Sequence, residues 1–160
     1  MHPRIVLLAA VLMAASLAAA HEGAQHDHHG GAAHGATGTD GQPGNPAEAK
    51  RTVRVTMRDD VFDVTSIQVK AGETVRFVIR NDGTEPHEFS IASHQEQLEH
   101  RAMMKQMPTM RHEDPNVVTV DAGQAKEIVW RFGRDQDVEF ACNIPGHAER
   151  GMTGKFRVMR

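Results

Sequence analysis

The 160 residues contain a single cysteine, Cys142, and no tyrosine. One cysteine excludes a disulfide within the chain, so no covalent cross-link helps to hold the fold. Aromatic side chains are few, six Phe and one Trp, and no basic stripe accompanies them. Nucleic acid, which calls for clustered cations and stacking rings, is therefore not an expected partner. The formal charge of −3 is modest and mixed along the chain. No phosphate-cradling loop and no nucleophile–base pattern occurs, so the chain is not expected to be an enzyme. After residue 20 no stretch approaches the roughly 18 apolar residues of a spanning helix, and membrane insertion is not expected.

What is present begins with a secretory signal over residues 1–20. Arg4 supplies the positive start, residues 5–17 the apolar run, and Ala18-Ala19-Ala20 the small-residue cleavage site. No cysteine follows that site, so no lipid anchor is expected there. The exported chain is expected in the periplasm. In an oxidising compartment an unpaired thiol is a liability. Cys142 is then either buried and inert or bound to something.

Residues 21–50 differ from the remainder. His21, His26, His28, His29 and His34 stand among Gly, Ala, Thr and Pro, with almost no large apolar side chain. Such a segment buries too little surface to offset its ordering entropy, which predicts a flexible tail. It serves either as a solvated linker or as a weak collector of Cu(II), Ni(II) or Zn(II).

From residue 51 to 160 the pattern changes to short alternating runs. Val53-Val55-Met57, Ile67-Val69, Val75-Phe77-Ile79, Phe89-Ile91, Val118-Val120, Ile128-Trp130-Phe132, Val138-Phe140 and Phe156-Val158 each predict a half-buried strand. Gly72, Asn81-Asp82-Gly83, Gly123 and Gly133 punctuate them. About eight strands predict an all-β fold, an antiparallel β-sandwich or Greek-key barrel, with Trp130 in its core. One insertion, about residues 93–114, breaks the rhythm. It is rich in helix formers, Ser93 and Glu96 stand at capping-box spacing, and Pro108 ends the run.

Cys142 opens the run Cys142-Asn143-Ile144-Pro145-Gly146-His147-Ala148-Glu149-Arg150-Gly151-Met152. A thiolate, an imidazole and a thioether on one loop suit copper, and a blue-copper site adds a second imidazole. His87, in Glu85-Pro86-His87-Glu88-Phe89, is the leading candidate, with His94, His100 and His112 as rivals inside the insertion. Zinc is the other metal such residues suggest, but Met is not among its usual ligands. A second group also stands out: His100, Met103, Met104, Met107, Met110 and His112 crowd into the insertion. At helical spacing several share one face, either as an adaptable core surface or as a Cu(I) site.

The stretch from Phe140 to Phe156 resembles the C-terminal ligand loop of the cupredoxins. Its four-residue gaps on either side of His147 are most similar to rusticyanin, and Pro-Gly-His is also azurin-like. With its His-rich tail and Met/His-rich insertion, the chain resembles the copper-tolerance cupredoxins of the CopI type. The resemblance implies a Greek-key sandwich holding one mononuclear copper. It implies His87, Cys142 and His147 as equatorial ligands and Met152 as the axial one. Many cupredoxins place Asn directly after the first ligand His; here that position is Glu88. The functions implied are copper tolerance together with one-electron transfer. The alternative is a dedicated periplasmic electron carrier with no tolerance role. The partner would be a periplasmic redox or copper-handling protein.

Overall fold

The computed structural model describes residues 40–134 and 137–160. The expected signal and the tail histidines lie outside the described residues. Among the described residues eleven strands form two sheets. The first sheet is ordered β1 (Gly41–Pro43), β9 (Ala125–Phe132), β5 (Thr74–Asn81), β2 (Arg51–Arg58), β3 (Val61–Phe62). The second is ordered β4 (Ser66–Lys70), β11 (Thr153–Met159), β10 (Val138–Ala141), β6 (His87–Ser93), β8 (Val117–Val120), β7 (Glu113–Asp114). The eight alternating runs are β2, β4, β5, β6, β8, β9, β10 and β11.

The alternation places one set of side chains between the sheets. Val55, Met57, Val75, Phe77, Ile79, Ile128, Trp130 and Phe132 from the first sheet meet Phe89, Ile91, Phe140, Phe156 and Val158 from the second. Phe77 and Phe156 touch edge to face at 5.7 Å, and Phe89 stacks on Phe140 at 5.5 Å. Removing this apolar surface from water is what drives the two sheets together.

Two expectations are corrected. The sandwich is not purely antiparallel, because β2 pairs with β5 and β4 with β11 in parallel. Period-two alternation reports which face is buried, not strand direction. The tail expected to run to residue 50 gives way earlier. Gly41–Pro43 pairs with β9, a 3-10 turn spans Pro46–Glu48, and Asn45 caps it. At Gly41 the backbone lies so close to the Trp130 ring and Arg131 carbonyl that a Cβ would collide with both.

The insertion folds as helix α1 (His94–Gln106), which packs on β6 and β10. Ser93 accepts from the Glu96 amide while Glu96 accepts from the Ser93 amide, a complete capping box. Under the helix, β6 and β10 become buried on both faces.

Candidate metal centre

His87 starts β6 and is delivered by a pinned turn. The Asn81 side chain donates to the Glu85 and Val120 carbonyls at 2.7 and 3.0 Å and accepts from the Gly83 amide at 2.8 Å. Asp59, in the turn between β2 and β3, accepts from the Thr84 amide and hydroxyl, both at 2.8 Å. Cys142 follows β10 directly and opens the loop to β11. Its amide donates to the Met152 carbonyl at 3.1 Å, and the Met152 amide donates to the His147 carbonyl at 3.0 Å. Gly151, at φ +100°, supplies the left-handed residue that turns the chain back toward Met152.

These two anchors bring three candidate ligand atoms together. His87 Nδ1 lies 3.1 Å from His147 Nδ1, and Cys142 Sγ lies 3.4 Å from His147 Nδ1. All three side chains are buried and their ligand atoms fall within 4.8 Å of one another. Met152 is also fully buried, in the same core cluster as Cys142. Of the rival histidines, His94 is half-exposed and pairs with Glu139, while His100 and His112 meet elsewhere.

Electrostatics prepares the donors. The Thr84 hydroxyl and amide, with His87, hold the Asp59 carboxyl well below the usual range. An ionised Asp59 can only accept, so His87 Nε2, 3.2 Å away, carries the hydrogen. The lone pair of Nδ1 then faces His147 and Cys142. Burial pushes the Cys142 thiol up to about 12, partly opposed by the Glu88 amide donating to Sγ at 3.3 Å. Burial and neighbouring His87 lower the His147 imidazole. At neutral pH the pocket therefore holds an uncharged thiol and an uncharged His147. A cation held here would displace the Cys142 thiol proton. Two imidazole nitrogens at about 2.0–2.1 Å from one ion in a tetrahedral arrangement lie about 3.3 Å apart, close to what is seen here. The residues fit a metal, and two nitrogens with a thiolate fit copper.

A second group forms on the outer face of β6. His100 Nε2 and His112 Nε2 are 3.2 Å apart, and Glu88 Oε2 lies 3.6 and 4.0 Å from them. Burial pushes the Glu88 carboxyl up to about 8. Of the insertion's methionines, Met104 is fully buried, Met103 partly, and Met107 and Met110 are 44% and 38% exposed. They do not share one burial environment.

Sequence reasoning missed Asp59, the Asp60–Arg150 pair and Glu88's part in the second group. Arg150 donates to both Asp60 oxygens at 2.6 Å, tying the loop between β10 and β11 to the β2–β3 turn, and lowers the Asp60 carboxyl. The acidic pair Asp59-Asp60 was the available signal, but only the fold brings it to residues 87, 147 and 150. Among the described residues no helix is long and apolar enough to cross a membrane.

Residues 4–110 match the family described as Cupredoxin-like domain. The cysteine loop falls outside that span and rests on its own geometry. The copper-resistant cuproprotein CopI of Rubrivivax gelatinosus is 50% identical over 137 residues, covering 82% of this chain and 83% of that protein. The protein of the same name from Vibrio cholerae serotype O1 is 46% identical over 114 residues, covering 70% and 68%. Among solved structures, reduced auracyanin from Roseiflexus castenholzii superposes with a TM-score of 0.60 at 17% identity. It covers 70% of this chain and 99% of auracyanin.

Proposed function

The chain belongs to the cupredoxin-like family, beside the CopI cuproproteins, and binds copper; from that premise we propose that it protects its host against copper through one buried redox centre. His87 Nδ1, His147 Nδ1 and the Cys142 sulfur would hold the ion, and the buried Met152 would offer a thioether as a further donor. The single observation that supports this ligand set is the convergence of those three buried atoms within 4.8 Å. Copper, when bound, supplies one-electron exchange.

The chain's own residues do the remaining work. Asp59 fixes the His87 ring so that Nδ1 faces inward. The Glu88 amide donates to Sγ and stabilises the thiolate once its proton has gone. The backbone bonds among Cys142, His147 and Met152 hold the loop in one shape. A pocket that is already formed changes little between oxidation states, which favours fast electron exchange. The protein acts in the periplasm after its signal is removed, exchanging copper or electrons with a redox or copper-handling protein there. Copper resistance is favoured over a dedicated carrier role because the named relatives carry resistance in their names.

Complementation tests this reading. A copper-sensitive strain lacking the gene should regain growth with the wild-type chain and not with Cys142→Ser. Equal rescue by both chains would remove the centre from the resistance function.

A further inference from the structure

We propose that Glu88, His100 and His112 form a second metal site that takes one Cu(II) ion, separate from the pocket of His87, Cys142 and His147. It rests on the copper reading above only for the choice of ion.

Three elements supply the donors. Glu88 comes from β6, His100 from the middle of α1, and His112 from the segment leading into β7. His112 Nδ1 meets Asp114 Oδ2 at 2.9 Å, and its amide donates to the Thr119 hydroxyl at 2.8 Å. A carboxylate accepting from Nδ1 leaves Nε2 with its lone pair toward His100, the orienting contact typical of metal-binding histidines. On the other side of the His100 ring the Asn143 side-chain nitrogen donates to Nδ1 at 3.3 Å, while that amide accepts from Arg101 and donates to Gln97. The two Nε2 atoms, 3.2 Å apart, are spaced as two nitrogens on one ion about 2.0–2.1 Å from each would be.

Glu88 points to a ligand independently. Its Oε1 accepts from the Asn143 backbone amide at 3.4 Å, but Oε2 is buried with no hydrogen-bond donor. A hydrogen bond between the two imidazoles would leave that oxygen unserved. A cation between the three groups would serve it, the His100 hydrogen then moving from Nε2 to Nδ1 and the Asn143 side-chain nitrogen, which here faces Nδ1 as a donor, shifting aside. A buried polar atom without a partner is costly, and a bound ion is one of its few remedies. His100 keeps 13% of its side-chain surface exposed, which gives the ion a way in. Two imidazoles and a carboxylate, with no sulfur required, suit Cu(II) rather than Cu(I).

The test titrates the full-length chain with Cu(II), counting bound equivalents and recording EPR and optical spectra, against His100→Ala/His112→Ala. Tail histidines are present in both chains and cancel. The double variant should bind one equivalent fewer and lose one nitrogen-coordinated EPR signal while keeping the Cys142-dependent absorption band. An unchanged count and unchanged signal would overturn the site. If the double variant fails to fold, as its circular dichroism would show, His112→Asn alone carries the same two outcomes. A wild-type chain without the Cys142-dependent band would instead count against the first centre, so the two failures are distinguishable.

Discussion

On strand β6, His87 and Glu88 are neighbours in sequence yet belong to different surroundings. His87, like Phe89 and Ile91 on the same face, turns toward the space between the sheets, where Cys142, His147 and Met152 lie. Glu88 and Ser90 turn outward under helix α1. There Ser90 donates to Gln97 at 2.7 Å and Glu88 meets His100 and His112. β10 and the loop after it divide in the same way, Cys142 inward and Asn143 outward. The inner face offers sulfur and nitrogen in an apolar core; the outer face offers nitrogen and oxygen in a polar network. A single-residue step along a strand changes the chemistry because side chains alternate with period two. The outer network exists only because the insertion covers that face. In an uncovered sheet, Glu88 would be a solvated surface carboxylate.

The contrast can be broken one face at a time. The largest effect expected is at the inner face, from Asp59→Ala. Losing the acceptor on His87 Nε2 frees the ring, and removing such an outer partner costs about 10–100-fold in metal affinity. Competition titration against a copper chelator should show that loss. Unchanged affinity would mean that the ring is held by other contacts.

A change between the faces comes next. Gly154 sits opposite Phe140 in the β10–β11 pairing, and a Cβ there would collide with the Phe140 ring. Gly154→Ala should destabilise the fold by about 1–3 kcal/mol through overpacking, read from chemical denaturation. On the outer face, Ser93→Ala removes the cap of α1 and should cost about 1 kcal/mol. Hydrogen exchange should rise in α1 while the inner ligand loop keeps its protection. Loosening of both would show that the two faces are not independent.

The smallest effect lies far from either group. Burial pulls the Glu73 carboxyl upward, but the Arg51 guanidinium and the Lys70 amide outweigh it and hold it below its ordinary value. A depressed carboxylate contributes stability that is present above its unfolded pKa of about 4.5 and lost as pH falls below it. Glu73→Gln should therefore narrow the stability difference between pH 6 and pH 3 by a few tenths of a kcal/mol, since the pair is part-exposed. An unaltered acid profile would discount the pair.

Much of the frame was legible because burial writes itself into alternation. Each of the eight runs became a strand, and the Ser93–Glu96 spacing became a real cap. The short strands β1, β3 and β7 were not legible. Gly41–Pro43 and Glu113–Asp114 contain no apolar alternation, and they join by backbone pairing that any sequence can make. The candidate donors of the loop after β10 could be read from the sequence because they are contiguous. His87 had to be chosen among rivals by its place ahead of a strand. Asp59 and the union of Glu88 with His100 and His112 depend on contacts between distant segments, for which spacing carries no signal. The methionines of the insertion drew attention by number, yet burial scatters them between core and solvent.

The central claim concerns copper held by Cys142 with His87 and His147. Its most direct test is the optical and EPR spectrum of the Cu(II)-loaded chain beside that of Cys142→Ala. A strong sulfur-to-copper charge-transfer band should appear in the wild type and vanish in the variant, while nitrogen-coordinated Cu(II) signals persist. A wild-type spectrum without that band, or a band that survives the loss of Cys142, would contradict it.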